Sequence, residues 1–418
     1  MKNKLLIKIL IAAIVIYSAS IYLPDIFWST FKFKVNRPRI SYSPIINEIL
    51  ITDPVNNVIK DRKGNIYTRD EYEAIMPQFS FAQLVFAGKM PDSIKGVAVD
   101  VPLLRKNLFQ STFAPYYIDG FGMILYPLLE SNPGRVNLEY PYEFFVIKER
   151  MEIYNSKTNK LNKEMTADFT EALKESGFKF PAKKLFGNPT TRKAFDEGYF
   201  IIDNNNQFFH VKRVNNKPYC KKIELPVGIK VAHFNIHEIP LKEFYGFFVT
   251  ETNELYLLTF NDYKLIKLNI NDYNYKVSTL KISGDLFNRT VAVVNENKFN
   301  VFVFDRNYNL IDNYKGQVKS KEESTQGIIA AYLFPFSIKL VNDKSMFVNF
   351  FFSLSDYRFL VFNILLVLCT VLVLWLKKLP LGKNLFTIVV VLLAGIYGLI
   401  AILIIRDFNQ YKSLEIRR

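Results

Sequence analysis

Three long apolar stretches lie near the two ends of the chain, one at 5–23 and two at 359–376 and 385–405. At a helical rise of ~1.5 Å per residue, the first spans about 28 Å, close to the hydrocarbon thickness of a bilayer. The two later stretches contain no charged residue. The pattern predicts one N-terminal and two C-terminal transmembrane helices, and therefore a cell-membrane, multi-pass protein whose first partner is the lipid bilayer.

The remaining pattern divides the chain into consecutive segments. We expect an N-terminal anchor at 1–23, a mixed α/β segment at 24–137, and a β-rich, repeat-like segment at 138–357. A transmembrane helical hairpin at 358–405 and a basic tail at 406–418 complete the chain. The predicted fold class is therefore membrane-anchored α+β, with a mainly antiparallel β soluble region.

A cleavable signal peptide is the alternative for the first stretch. Ser18, Ala19 and Ser20 resemble a small-residue cleavage site that follows a basic start. The apolar run is longer than a usual signal core, which favours a retained anchor.

A strand, a polar turn and a second strand recur from residue 143 onward. The units begin near 144, 199, 247 and 291, at intervals of about 44 to 55 residues, which is typical of propeller blades. A plain meander or a sandwich is the alternative. The predicted strand pairs are 144–147 with 151–154, 199–202 with 208–211, 247–250 with 255–260, and 291–294 with 299–304.

Helix signals lie outside these pairs. Thr68 and Glu71 have capping-box spacing, and Pro77 interrupts the helix that they start. A further helix turn is expected to reach Gly88, and a later amphipathic helix is expected near 164–176.

The charge distribution argues against nucleic acid as a partner. Of the net charge of +15, only +6 falls on residues 24–357, and the rest lies beside the apolar stretches. Basic residues in such flanks suit anionic lipid headgroups.

The same flanks bear on membrane orientation. A basic start before the first stretch favours a soluble region outside the cytoplasm. The turn at 377–383 is then cytoplasmic, and the tail after residue 405 is outside. Eight basic residues would be external under this arrangement, against the positive-inside tendency: Lys32, Lys34, Arg37, Arg39, Arg406, Lys412, Arg417 and Arg418.

Candidate chemistry in the soluble region is sparse, and we predict no catalytic residue and no cofactor. His233 and His237, followed by Glu238, are weak metal-ligand candidates, and the alternative is a polar connection before Pro240. Cys220 and Cys369 fall in different segments, so no internal disulfide is expected.

The polar loop at 187–193 is a candidate contact for an anion or an acidic partner through Thr190, Thr191, Arg192 and Lys193. A solvated turn is the alternative. Several tyrosines are also expected to be exposed at strand ends, where they would suit protein or glycan contact: Tyr199, Tyr219, Tyr245, Tyr263, Tyr273, Tyr275 and Tyr308.

Several segments resemble an uncharacterised bacterial family of membrane-anchored proteins with a domain of unknown function. They are MPDSI at 90–94, GNPTTRK at 187–193 leading to DEGY at 196–199, PYC at 218–220, and EFYG at 243–246 onward to Leu268. The resemblance implies association with ABC-transporter components, and it carries over no active-site residue.

These observations favour a non-enzymatic accessory or interaction subunit of a membrane complex, for which an ABC-type transporter is the candidate. The C-terminal helices would contact a membrane-protein partner, and an extracytoplasmic β-rich domain would contact substrate or a second protein. The alternative is a membrane-tethered hydrolase or glycan-active enzyme, which requires clustered carboxylates, or His233 and His237, in one deep pocket.

Overall fold

The chain begins with one long helix, α1 (Lys2–Thr30), which continues past the predicted end of the first apolar stretch and through Pro24. The computed structural model describes residues 2–118, 120, 125–341, 346–348 and 350–415, with the backbone alone for 2–4 and 406–415. It forms two compact units: one is Arg37–Gln317, and the second combines Met1–Asn36 with Val318–Arg418.

The unit Arg37–Gln317 is built mostly from antiparallel sheets whose strands follow chain order. Sheet 1 contains β1 (Arg39–Ser43), β2 (Glu48–Thr52), β3 (Ile59–Asp61) and β4 (Ile66–Tyr67). The next segment contains α2 (Arg69–Ile75), α3 (Pro77–Phe86), the hairpin β5 (Ser93–Ile94) and β6 (Val97–Ala98), α4 (Val101–Asn107), β7 (Phe109–Phe113) and α5 (Pro115–Ile118).

The later sheets repeat the same four-strand plan. Sheet 2 contains β8 (Tyr126–Pro127), β9 (Glu143–Ile147), β10 (Met151–Asn155) and β11 (Lys160–Leu161), followed by α6 (Lys163–Glu175). Sheet 3 contains β12 (Lys184–Gly187), β13 (Tyr199–Ile202), β14 (Phe208–Val214) and β15 (Lys217–Ile223). Sheet 4 contains β16 (Val231–Ile236), β17 (Phe244–Thr250), β18 (Leu255–Thr259) and β19 (Leu265–Leu268). Sheet 5 contains β20 (Thr279–Gly284), β21 (Arg289–Val294), β22 (Lys298–Phe304) and β23 (Leu310–Gln317), and β7 pairs with β20 as a further strand.

The predicted helix signals are confirmed. Thr68 caps α2 with both bonds of a capping box, and Pro77 is the first residue of α3, where its missing N–H is tolerated. Helix α6 begins after Asn162, whose side chain accepts a hydrogen bond from the Met165 amide.

Each predicted strand pair is the inner pair of one sheet, β9–β10, β13–β14, β17–β18 or β21–β22. Inner strands such as β13 are buried along their whole length, so they read as apolar runs, whereas the outer strand β15 is mostly half-buried and β23 is largely exposed. The outer strands therefore escaped the sequence pattern.

The sheets pack face to face in a series. Tyr199 and Ile201 of β13 point toward sheet 2 and α6, while Phe200 and Ile202 point toward sheet 4. In the same way Phe247 of β17 packs toward sheet 5. Alternation of side chains along a strand thus places each inner strand in two cores at once. A further cluster joins sheet 1 to sheet 5.

The other unit contains α1 and the C-terminal elements. These are α7 (Thr325–Leu333), β24 (Phe336–Lys339), β25 (Phe351–Leu354), α8 (Arg358–Leu376), a short 3-10 helix (Leu381–Asn384) and α9 (Leu385–Glu415). In the described part of the chain, three helices are long and apolar enough to cross a membrane, one N-terminal and two C-terminal.

Helix α9 is interrupted at Gly395, whose φ of 54° and ψ of −128° are not helical. The small residues Ala394, Gly398 and Ala401 around this break are buried inside the unit. These small residues therefore pack against other residues of the chain.

Candidate functional site

In the unit Arg37–Gln317, the described residues bring acidic and basic side chains together between sheets 3 and 4. The loop between β12 and β13 supplies Lys193, Asp196 and Glu197, and the segment after β16 supplies Glu238. Strand β14 adds a histidine and a second lysine. We call this set the buried ion-pair network.

Lys193 lies at the centre of the network. Its Nζ is 2.6 Å from an oxygen of Asp196 and 2.7 Å from an oxygen of Glu238, and it also donates to the carbonyl of Asn188 at 2.8 Å. The Lys193 side chain is only 3% exposed. This ammonium is already held by two carboxylates of its own chain, so the sequence-predicted role of Lys193 toward an outside partner stays a prediction.

Glu238 is bound on both carboxylate oxygens. Besides Lys193, it accepts a hydrogen bond from the Glu197 amide at 2.7 Å and one from Nδ2 of Asn188 at 2.9 Å. Burial raises the pKa of Glu238 to about 7, although Lys193 opposes that rise. This carboxyl can therefore exchange a proton near neutral pH, but its side chain has no exposure to solvent.

Asp196 and Glu197 are adjacent in the chain and have different partners. Asp196 accepts from the Ser131 hydroxyl at 2.8 Å, while Glu197 pairs with Nζ of Lys212 at 2.5 Å. Burial raises the pKa of Glu197. The two carboxylates therefore stabilise separate contacts.

His210 extends the network into sheet 4. Its Nε2 lies 2.6 Å from the Glu197 carbonyl, which can only accept, so Nε2 carries the proton and Nδ1 accepts from the Tyr263 hydroxyl at 2.7 Å. The ring stacks on Phe200 with centroids 4.2 Å apart. Burial lowers the pKa of His210 to about 3, so the imidazole is neutral.

A second buried ion pair joins sheet 5 to sheet 4. Arg289 is 1% exposed, and its Nη2 lies 2.5 Å from a carboxylate oxygen of Glu243. The Tyr308 hydroxyl and Arg306 also contact this carboxylate. The residues of the Lys193–Glu238 pair are 45 positions apart in the sequence, and those of the Arg289–Glu243 pair are 46 apart. Residue spacing therefore gave no signal for either pair.

The metal-ligand candidates lie among aromatic rings. His233 packs edge-on against Phe113 and Phe186, and His237 packs against Phe109 and Phe244. Burial lowers the pKa of each histidine to about 4. Among the residues that the structure describes, no group of three or more His, Cys, Asp or Glu is placed to hold a metal ion.

The loop and tyrosine candidates fall in mixed surroundings. Thr190 and Thr191 are half-buried and Arg192 is exposed, so their contact with an anion or partner stays a prediction. The expected exposure of three tyrosines is wrong, because Tyr199, Tyr245 and Tyr273 have inward positions in the cores.

An open cleft of about 640 Å³ lies beside α6. Its lining holds the cations Arg150, Lys163 and Lys174 against one carboxylate, Glu171. Arg150 also pairs with Glu152, and the hydroxyls of Thr166 and Thr170 already bond to the backbone of β10. The excess of positive charge suits an acidic surface.

Comparison with known proteins places the chain in a family without naming an activity. No curated protein matches it. Residues 39–304, more than half of the chain and most of the unit Arg37–Gln317, match the family model described as "Domain of unknown function (DUF4857)". The chain therefore belongs to the DUF4857 family.

Proposed function

We propose that this protein is a non-enzymatic accessory subunit of a membrane complex and that its β-rich unit is an extracytoplasmic interaction domain. The observation that carries the proposal is a large DUF4857 region positioned between a first apolar helix and two later ones. A domain tethered to lipid at both ends stays at the membrane surface, where it can contact membrane-bound partners.

The apolar helices offer a surface for such partners. In the most apolar windows of α1 and α8, 11% of the residues are buried within the chain. Val361 and Leu365, one turn apart on α8, are 60% and 53% exposed. Lipid or a partner helix can cover this face, and close helix packing in membranes relies on such contacts.

The state of the ionisable groups supports a binding role. Lys193, Asp196 and Glu238 are almost fully buried and bonded to one another, which fixes the loop between β12 and β13. The cationic cleft beside α6 is open to solvent and supports contact with an acidic partner surface.

Two finer features belong to the same proposal. The resemblance of the chain implies an ABC-type transporter as the complex. The series of four-stranded meanders that pack face to face supports a propeller-like arrangement.

The test is purification of the tagged full-length protein in mild detergent. We expect membrane proteins to co-purify in fixed proportion. The variant Val361→Trp with Leu365→Trp should release them, because the added bulk is tolerated in lipid and blocks a partner helix. The matched pair on α1, Leu6→Trp with Leu10→Trp on an exposed face, shows whether α1 contributes to the contact as well as α8. Recovery of wild type as a monodisperse monomer without partners contradicts the proposal.

A further inference from the structure

The last apolar segment does not run as one straight helix. Gly395 has a positive φ of 54°, a region that L-residues with a side chain rarely occupy. The break lies between the first half of α9, which follows the 3-10 helix, and a second half that continues to Glu415.

The chain reverses direction at this break. A β-carbon on Gly398 would lie 2.3 Å from the carbonyl oxygen of Val390 and 3.1 Å from Cα of Val391. Residues 390 and 398 of a straight helix would be separated by ~12 Å along the axis. Contact between them therefore requires the second half of α9 to fold back beside the first.

The packing of more distant residues agrees with a reversal. One apolar cluster contains Phe386 from the first half together with Ile402 and Ile405 from the second. In a straight helix Phe386 and Ile402 would be ~24 Å apart along the axis. Ala12 of α1 belongs to the same cluster, so α1 covers this folded-back pair.

The break at Gly395 lies beside the first turns of α8. Asn363, in the second turn of α8, donates from Nδ2 to the Leu392 carbonyl at 2.9 Å. The Tyr397 hydroxyl donates to the carbonyl of Phe336 in β24 at 2.7 Å. The first half of α9 thus runs antiparallel to α8 as far as Asn363. The second half then runs back in the opposite direction.

We propose that the segment Leu385–Ile405 is a re-entrant helical hairpin that enters and leaves the bilayer on the same face. Both the turn after α8 and the residues after Ile405 then lie on the face where α1 begins. This inference concerns relative sidedness, so it holds whichever face is cytoplasmic.

The proposal accounts for part of the charge pattern that a third crossing leaves unexplained. With three crossings, the basic turn and the basic tail fall on opposite faces. With a re-entrant hairpin, the basic start, turn and tail share one face, as the positive-inside tendency favours, while Lys32, Lys34, Arg37 and Arg39 stay on the other face. Among the described residues, those that chain order places on this face are Lys2, Lys4, Lys8, Lys377, Lys378, Lys383, Arg406 and Lys412.

Cysteine accessibility in the full-length protein tests the proposal. In a background with Cys220→Ser and Cys369→Ser, single cysteines are introduced by Val227→Cys, Gly382→Cys or Ser413→Cys. Val227 is fully exposed in the unit Arg37–Gln317, and Gly382 has open space for a side chain. An impermeant maleimide is applied to intact cells, with any outer membrane permeabilised, and again after lysis to give the total reactive thiol.

We expect only the Val227→Cys protein to be labelled in intact cells, while the Gly382→Cys and Ser413→Cys proteins are labelled after lysis. Labelling of Ser413→Cys but not Gly382→Cys in intact cells overturns the re-entrant hairpin. Labelling of both, with Val227→Cys protected, supports the hairpin and instead overturns the extracytoplasmic orientation of the proposed function.

Discussion

The side chain of Asn363 lies against the backbone of Gly395, and a β-carbon at Gly395 would be 2.1 Å from Oδ1 of Asn363. Asn363 is fully buried among apolar helices, where polar side chains are rare and costly. Its amide group donates to α9 at the point where that helix breaks. The contact between Asn363 and Gly395 therefore fixes the position at which α9 breaks.

Replacing Gly395 by alanine should destabilise the helical unit. The substitution adds a clash with Asn363 and forces a side chain into a positive-φ conformation, so we expect a loss of about 1–3 kcal/mol. Thermal unfolding in detergent measures the loss. Gly382→Ala is the matched control, since open space surrounds Gly382. Equal stability of the two variants would contradict the geometry at Gly395.

Gly398→Ala separates a reversed α9 from a straight one. In a straight helix, alanine in place of glycine stabilises by up to about 1 kcal/mol. Here the new methyl group would meet the Val390 carbonyl, so we expect destabilisation. The measurement is the same detergent melt, and a raised melting temperature would argue for a continuous helix.

Lys193→Met should be among the most damaging substitutions in the unit Arg37–Gln317. It leaves Asp196 and Glu238 buried without their shared cation, and breaking a buried ion pair costs about 3–5 kcal/mol. Chemical denaturation of the full-length protein in detergent measures the loss. Arg192→Met, at an exposed neighbouring position, should change stability by no more than about 0.5 kcal/mol. A similar small effect for both variants would show that the network is unimportant for stability.

His237 should make the fold sensitive to acid. Burial lowers its pKa from 6.5 to about 4, so the unfolded chain takes up the proton first as the pH falls. Its contribution to stability is present above pH 6.5 and is lost as the pH falls toward about 4. His237→Phe should reduce this loss, since Phe109, Phe244 and Phe247 already surround the ring.

The stability of the His237→Phe variant at neutral pH should be equal to wild type or higher, because buried Nδ1 of His237 has no hydrogen-bond partner. His210→Phe is the contrasting variant, since it removes bonds to Tyr263 and Glu197 and should destabilise at neutral pH. Glu238 acts with the opposite sign: its raised pKa reduces stability as the pH rises from 4.5 to about 7. The difference in pH dependence between His237→Phe and wild type therefore measures the effect of His237 alone. An unchanged midpoint of acid unfolding in His237→Phe would refute its role.

Cys220 should react slowly with thiol reagents in the folded protein. Burial raises its pKa to about 11, so about one thiol in ten thousand is ionised at pH 7. Colourimetric thiol titration of the Cys369→Ser protein should show a slow phase that becomes rapid in denaturant. Adding Val227→Cys should introduce one equivalent of thiol that reacts rapidly without denaturant. Rapid reaction of native Cys220 would mean that this part of β15 opens readily.

The local pattern of the sequence determined the apolar helices, the helix caps and the inner strands of the sheets. Each depends on neighbours within a few positions: an unbroken apolar run, the spacing of Thr68 and Glu71, or a strand covered on both faces. The outer strands carry mixed polar side chains because one face meets solvent, and that pattern does not distinguish them from loops.

Tertiary structure alone decided the partners of the buried charges and the path of α9. Lys193 meets Glu238 only because sheets 3 and 4 pack together, and a sequence separation of 45 residues carries no such information. In α9 the apolar run is long enough to cross a bilayer, yet length and hydropathy are the same for a crossing and a folded-back helix. The direction of the chain is set by the backbone of Gly395 and by the contact of Gly398 with Val390, because only packing distinguishes a straight helix from a reversed one.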